Sequence, residues 1–192
     1  MTALTNKIEQ TQLTAFDKGY KWLHWSMAFL VMLMLFALMG FADAVTTQER
    51  LEMLTGHSSI GTIISILLIA RVFKRFIMRD PRPVQNTALW QRRAAKTVQG
   101  GLYFCLIFVP VTGYLSARFH ELPVKVFGVL DINQGTQLAY NADTFQMIRL
   151  AHEWGIKLIM LLLVLHIGAA LYHRFIKKDL VLASMTRFKK VK

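Results

Sequence analysis

Three stretches of the chain, residues 22–42, 53–70 and 97–117, contain no Asp, Glu, Lys or Arg. A fourth, about 148–176, carries Glu153 and Lys157 near its start and is uncharged over 158–173. Roughly 20 apolar residues in a helix, rising about 1.5 Å each, cross a hydrocarbon core of about 30 Å. The pattern therefore predicts an all-α integral membrane four-helix bundle, one membrane domain over residues 1–192, with spans at about 22–42, 53–73, 97–118 and 148–176. Pro110 falls inside the third span, where neighbouring helices can cover the carbonyl it frees. The fourth helix is expected to run on past the bilayer, because Lys177 and Lys178 continue it without a breaker. Between the spans, Arg79–Pro83 reads as a turning connection, and 119–147, with Pro123, Gly128 and Gly135, as an external loop and candidate lid. A basic tail occupies 177–192. The first 20 residues are polar and hold no apolar core of signal-peptide length, so the first hydrophobic segment is expected to be a retained span.

Charge adds a direction. The formal net charge is +12, which in a soluble protein would suggest nucleic acid. Here the basic residues lie between apolar stretches and point to a membrane surface instead. Most of the 23 Lys and Arg cluster on one side. Lys7, Lys18 and Lys21 lie in the N-terminal arm, the run from Arg71 to Lys96 follows the second span, and the tail runs from Arg174 to Lys192. Arg50, Arg118, Lys125 and Arg149 lie opposite. The excess of positive charge on cytoplasmic loops puts both termini in the cytoplasm. The single cysteine, Cys105, excludes an internal disulfide and any CxxCH site for covalent haem attachment.

The chemistry-bearing residues are histidines: His24, His57, His120, His152, His166 and His173. His152 and His166 are 14 residues apart, about 21 Å along one face of a helix. The first two spans are joined by a short outer link. His24 lies about 27 Å inward of it and His57 about 6 Å inward, again a difference of about 21 Å. His57 is thus level with His152 near the outside, and His24 with His166 near the cytoplasm. Two imidazoles facing each other at one depth are an axial pair for a haem iron. An iron so saturated has no open position for dioxygen and is suited to electron transfer. Two non-covalent b haems are the expected cofactors, with His24, His57, His152 and His166 as iron ligands. Zinc is the rival, but it gathers tetrahedral ligands at one place.

His173, seven residues beyond His166, would require a ligand spacing of about 31 Å. It reads instead as an interfacial residue beside a quinone or a haem propionate, and His120 as a solvated loop residue. Gly56, Gly61, Gly155 and Gly168 near the histidines suit either a flat macrocycle or ordinary helix packing. Trp22, Trp25 and Trp154 suit interfacial belts. Arg71 suits a haem propionate or simple membrane anchoring. Arg149 and Lys157, beside His152, are the catalytic candidates as cations that hold or attract an anion.

The segments Trp22-Leu-His-Trp25, Gly56-His-Ser-Ser59, Ala151-His-Glu-Trp154 and Leu165-His-Ile-Gly-Ala-Ala-Leu171 together resemble the four histidine motifs of the bacterial di-haem cytochrome b561 family. Pro110-Val-Thr-Gly-Tyr114 and the tail beginning Lys177-Lys-Asp179 look similar too. The resemblance implies a multi-pass four-helix bundle in the bacterial inner membrane, two non-covalent b haems and electron exchange with quinone. In one branch of the family it implies oxidation of superoxide on the periplasmic side with ubiquinone as acceptor. The leading expectation is an oxidoreductase joining a periplasmic donor to the quinone pool. The alternative is a cytochrome b anchor or relay subunit for a partner dehydrogenase, hydrogenase or periplasmic protein.

Overall fold

The computed structural model describes residues 16–43, 45–76, 88–133 and 141–186. The Arg79–Pro83 connection, Gly135, and the basic residues Lys7, Arg187, Lys189, Lys190 and Lys192 lie outside them. Four long helices dominate: α1 (Lys18–Asp43), α2 (Thr47–Phe76), α3 (Leu89–Arg118) and α4 (Ala142–Tyr172). All four are long and apolar enough to cross a membrane. Their outward faces bear large apolar side chains, such as Phe29, Phe36, Ile69 and Val164, that are 66–70% exposed. Such surface is stable only against lipid tails.

Each helix begins before its charge-free stretch. At α2, the Thr46 hydroxyl accepts from the Glu49 N–H at 3.2 Å, and the Glu49 carboxylate accepts from the N–H groups of Thr46 and Val45, each at 2.9 Å. This is a capping box, and it sets the helix start among polar residues that hydropathy cannot mark. Asn141 caps α4 by a single bond, its side chain accepting from the Thr144 N–H at 2.9 Å. At its other end α4 does not continue smoothly. It widens into one π turn, His173–Lys177, and stops at Lys178, which has φ +53°. The expected unbroken continuation is therefore corrected. His173 Nδ1 and Asp179 Oδ2 close to 2.5 Å, and Lys178 adopts the left-handed conformation that makes this pairing possible. The chain then turns back into α5 (Ala183–Thr186) beneath the bundle. There the Met185 carbonyl accepts from Trp25 Nε1 at 3.1 Å, and the Ser184 carbonyl from the Phe16 N–H at 3.2 Å.

The helices pack as two pairs, α1 along α2 and α3 along α4, with fewer close backbone approaches between α2 and α3. Among the described residues α1 and α2 scarcely approach the α4 backbone. The two halves thus leave room between them, at the level of their facing histidines.

The segment after α3 holds a small antiparallel hairpin, β1 (Lys125–Val126) with β2 (Leu130–Asp131). Fully buried Asn133 pins its base, accepting from the Val124 N–H and donating to the carbonyls of His120 and Leu122. The hairpin rests on α2 beside His57: Ser58 donates to the Lys125 carbonyl, and Ser59 accepts from the Phe127 N–H, both at 2.7 Å. His120, expected from the sequence to be a solvated loop residue, is only partly exposed. Its Nδ1 accepts from the Leu122 N–H at 3.0 Å, and its ring stands edge-on to Phe145. Burial pulls its pKa below the usual histidine value.

Candidate functional site

His24 on α1 faces His166 on α4 with ring centroids 6.2 Å apart and planes at 72°. His57 on α2 faces His152 on α4 with the same 6.2 Å and 72°. The 14-position step from His152 to His166 sets the two pairs about 21 Å apart along α4. A nitrogen–metal bond is about 2 Å, so two imidazoles on opposite sides of one ion hold their ring centres about 6 Å apart. Both pairs have this opening. Among the described residues no group of three or more His, Cys, Asp or Glu gathers in one place. The donor set therefore suits an ion that brings its remaining ligands in a macrocycle, not a tetrahedral zinc site.

At the hairpin end, the second helix pair shapes the site around His152. The Val109 carbonyl accepts from His152 Nδ1 at 2.9 Å. A carbonyl can only accept, so Nδ1 carries the proton and Nε2 keeps the lone pair a metal requires. Thr112 adds a contact to the same Nδ1 at 3.2 Å while bonding back to the carbonyls of Phe108 and Val109. Gly113 supplies the space: a Cβ there would sit 2.9 Å from His152 Cε1.

The opposite end is built from arginine and tyrosine. Arg71 Nη1 lies 2.9 Å from His24 Nδ1, and Arg71 Nε donates to the Tyr103 hydroxyl at 3.2 Å. Arg75, one turn along α2, donates to the same hydroxyl at 3.3 Å, and Tyr20 joins it at 3.3 Å. The Arg71 guanidinium also lies over the Tyr20 ring, 4.8 Å from its centre. Arg75 Nε is buried with no hydrogen-bond partner among the described residues. Neither arginine is paired with a carboxylate there; the neighbouring Asp17 is taken by Lys74 at 3.0 Å. Two converging guanidiniums with an unfilled donor fit an anionic ligand such as the carboxylates of a haem. With the paired rings, this cluster shows that the residues present fit the group.

The glycines separate into two kinds. A Cβ at Gly155 would press on Val109 and Phe108 at 2.9 and 3.0 Å, so this glycine serves α3–α4 packing. At Gly56 and Gly168 a Cβ would meet nothing within 4 Å, and at Gly61 only Met34 Cε at 4.0 Å. At these positions a side chain has room, so packing between the helices does not require glycine there.

The remaining sequence candidates lie away from the rings. Arg149 Nε donates to Glu153 at 3.0 Å in an exposed i,i+4 pair. Lys157 points outward, its ammonium 4.6 Å from the centre of the exposed Trp154 ring. His173 is engaged by Asp179. Sequence reasoning missed Val109, Thr112 and Gly113, although the Pro110-Val-Thr-Gly run was a usable signal, and missed Tyr20, Tyr103 and Arg75. Arg75 repeats Arg71 at i+4 and was legible on that ground.

A family profile described as prokaryotic cytochrome b561 matches residues 15–188. The chain is 32% identical over 129 residues to cytochrome b561 homolog 2 of Escherichia coli (strain K12), covering 67% of this chain and 68% of that protein. It is 26% identical over 175 residues to cytochrome b561 homolog 1 of the same organism, covering 90% of this chain and 97% of that one.

Proposed function

The chain belongs to the prokaryotic cytochrome b561 family, and on that premise we propose that it holds two b haems and passes electrons from a donor on the periplasmic side to the quinone pool. Membership makes it a b-type haem electron-transfer protein, multi-pass in the bacterial inner membrane. The observation that carries the two-haem reading is the repeated geometry: two histidine pairs on separate levels, each with centroids 6.2 Å apart. In this reading His57 and His152 hold the haem nearer the periplasm, and His24 and His166 the haem nearer the cytoplasm. The basic character of the Arg71 end supports that orientation. Bound haem iron would supply one-electron exchange without an open coordination position.

The chain's own residues perform the rest. His152 is held by Val109 in its metal-binding tautomer. Superoxide is the proposed donor: two superoxide anions lose one electron each to give dioxygen, and quinone takes both electrons with two protons to give quinol. Lys125 and Lys157, exposed at or near the hairpin end, support attraction of that anion. Arg149 supports it less, because Glu153 offsets its charge.

Purified protein should show reduced b-haem bands, and pyridine haemochrome analysis should give two haems per chain. It should also reduce ubiquinone when given superoxide, with no second polypeptide present. One haem per chain would overturn the two-haem reading. Quinone reduction that depends on an added partner would favour a relay or anchor subunit over a stand-alone enzyme.

A further inference from the structure

The β1–β2 hairpin does not stand clear of the bundle. α3 ends at Arg118, well beyond Thr112, which touches His152. The chain then turns back, because the hairpin meets α2 at Ser58 and Ser59, beside His57 and level with the same histidine pair. Ser59 is on the far face of α2 from His57, about 160° around the helix, whereas Ile66 falls within about 20° of Ser59 and Ile63 within about 40°. Ile63, Ile66 and Phe73 are exposed and belong to the lipid-facing surface, so the hairpin lies at one end of that stripe. The Lys74–Asp17 ion pair marks the opposite membrane surface. From Lys74 to Ser59 is about 22 Å along α2, less than the hydrocarbon core of about 30 Å. That length puts the hairpin at the near boundary of the core and not out in water.

The chemistry of the hairpin matches that depth. Its tip is apolar and open, with Phe127 56%, Val129 80% and Leu130 66% exposed. The Phe127 N–H is satisfied by Ser59, and the Val129 N–H by the Val126 carbonyl at 3.1 Å, as apolar surroundings require. Phe127 also holds φ +53°, a conformation costly for a bulky side chain. A ring held there in water gains nothing to offset that cost, whereas a ring among acyl chains does. We propose that the tip is a membrane anchor, with Phe127, Val129 and Leu130 entering the boundary between phospholipid headgroups and acyl chains beside α2. Phospholipid is the occupant because the tip continues the lipid-facing stripe of the helix it rests on. The segment after α3, read from the sequence as a candidate lid, is then held between the bilayer and α2.

The test uses the full haem-loaded chain in phosphatidylcholine vesicles, with a nitroxide on Val129→Cys and, separately, on Leu130→Cys. Cys105 is buried, and the wild-type chain put through the same labelling is the blank. Both labels replace exposed side chains, and wild-type haem absorbance confirms the fold. Power-saturation EPR compares collision with oxygen, which concentrates among acyl chains, and with a water-soluble nickel chelate. Ile66→Cys on the lipid-facing stripe and Gln48→Cys at the polar start of α2 are the references. Both tip labels should follow Ile66, with an oxygen-to-nickel ratio several-fold above that at Gln48. A ratio equal to that at Gln48 places the tip in water and overturns the proposal. Low collision with both reagents means that protein covers the tip, from a second copy or from this chain, and overturns it as well.

Discussion

The two ends of the bundle present the same pair of rings in different surroundings. Centroid distance and interplanar angle agree between them, 6.2 Å and 72° at each. Around His152 the supporting groups are the Val109 carbonyl and the Thr112 hydroxyl, and the space comes from a glycine. Around His24 they are a cationic side chain and two tyrosines. Backbone is fixed once the helix forms, so the hairpin-end site is organised by folding itself. The Arg71-end site is instead supported by side chains, Arg71 being placed by Tyr103 and Tyr20. Equal ring geometry therefore does not make equal sites; outer hydrogen bonds decide which nitrogen is available.

The largest expected effect tests whether the ends are separate at all. His57→Ala or His152→Ala should each remove one haem, and His24→Ala or His166→Ala the other, halving haem content by pyridine haemochrome assay. If His24→Ala and His152→Ala extinguished the same spectral component, the pairing across the bundle would be broken. Next comes Gly113→Ala, whose Cβ would sit 2.9 Å from His152 Cε1. It should weaken the hairpin-end haem by about 10–100-fold, the range for disturbed outer-shell support of a metal ligand, and leave the other haem in place. Gly168→Ala, where a Cβ meets nothing within 4 Å of protein, is the matched control beside His166. A larger loss of hairpin-end haem in Gly168→Ala than in Gly113→Ala would invert the comparison.

Much of this contrast was legible in the chain before any coordinates. Charge-free lengths mark four helices, and the depths of His24, His57, His152 and His166 name the pairs that face one another. The supporting shell was harder to read, for definite reasons. The partner of His152 is a backbone carbonyl, which every residue carries, so the identity of Val109 gives no sign of it. Tyr20 and Tyr103 are distant in sequence and meet only because α1, α2 and α3 converge at one end. Arg71 was legible as a cation suited to a haem propionate or to simple membrane anchoring, but its contact with His24 depends on side-chain direction. The π turn at His173–Lys177 likewise follows from one side-chain pairing, with Asp179, and hydropathy does not see it. The helix starts at Thr47 and Ala142 were hidden because caps lie among polar residues.

A milder change at the Arg71 end is Tyr103→Phe. It removes the acceptor shared by Arg71 and Arg75 while keeping the ring beneath their guanidiniums. Losing one hydrogen-bonded hydroxyl among charged donors costs about 1.5–3 kcal/mol if nothing compensates. A haem carboxylate would compensate, so the holo protein should lose only a few-fold in affinity for that haem. A loss of the hairpin-end haem on the same substitution would show the two ends to be coupled and the comparison misdrawn.

The smallest effect concerns the ion pair that closes this end. Lys74, 3.0 Å away, holds the Asp17 carboxyl below its usual pKa. A carboxylate with a lowered folded-state pKa contributes stability above its unfolded pKa of about 3.9, and loses it as pH falls through the folded value. Asp17 is half exposed, which keeps the contribution within the roughly 0–1 kcal/mol of a surface pair. Asp17→Asn should therefore lower the thermal midpoint of the Arg71-end haem signal slightly at pH 7. The difference from wild type should fade as pH falls through the lowered folded-state pKa, where the wild-type carboxyl is itself protonated. The hairpin-end haem signal should not shift with either change. If it moved as much as its neighbour, the ion pair would be supporting the whole bundle, and the two ends would melt as one unit despite their different construction.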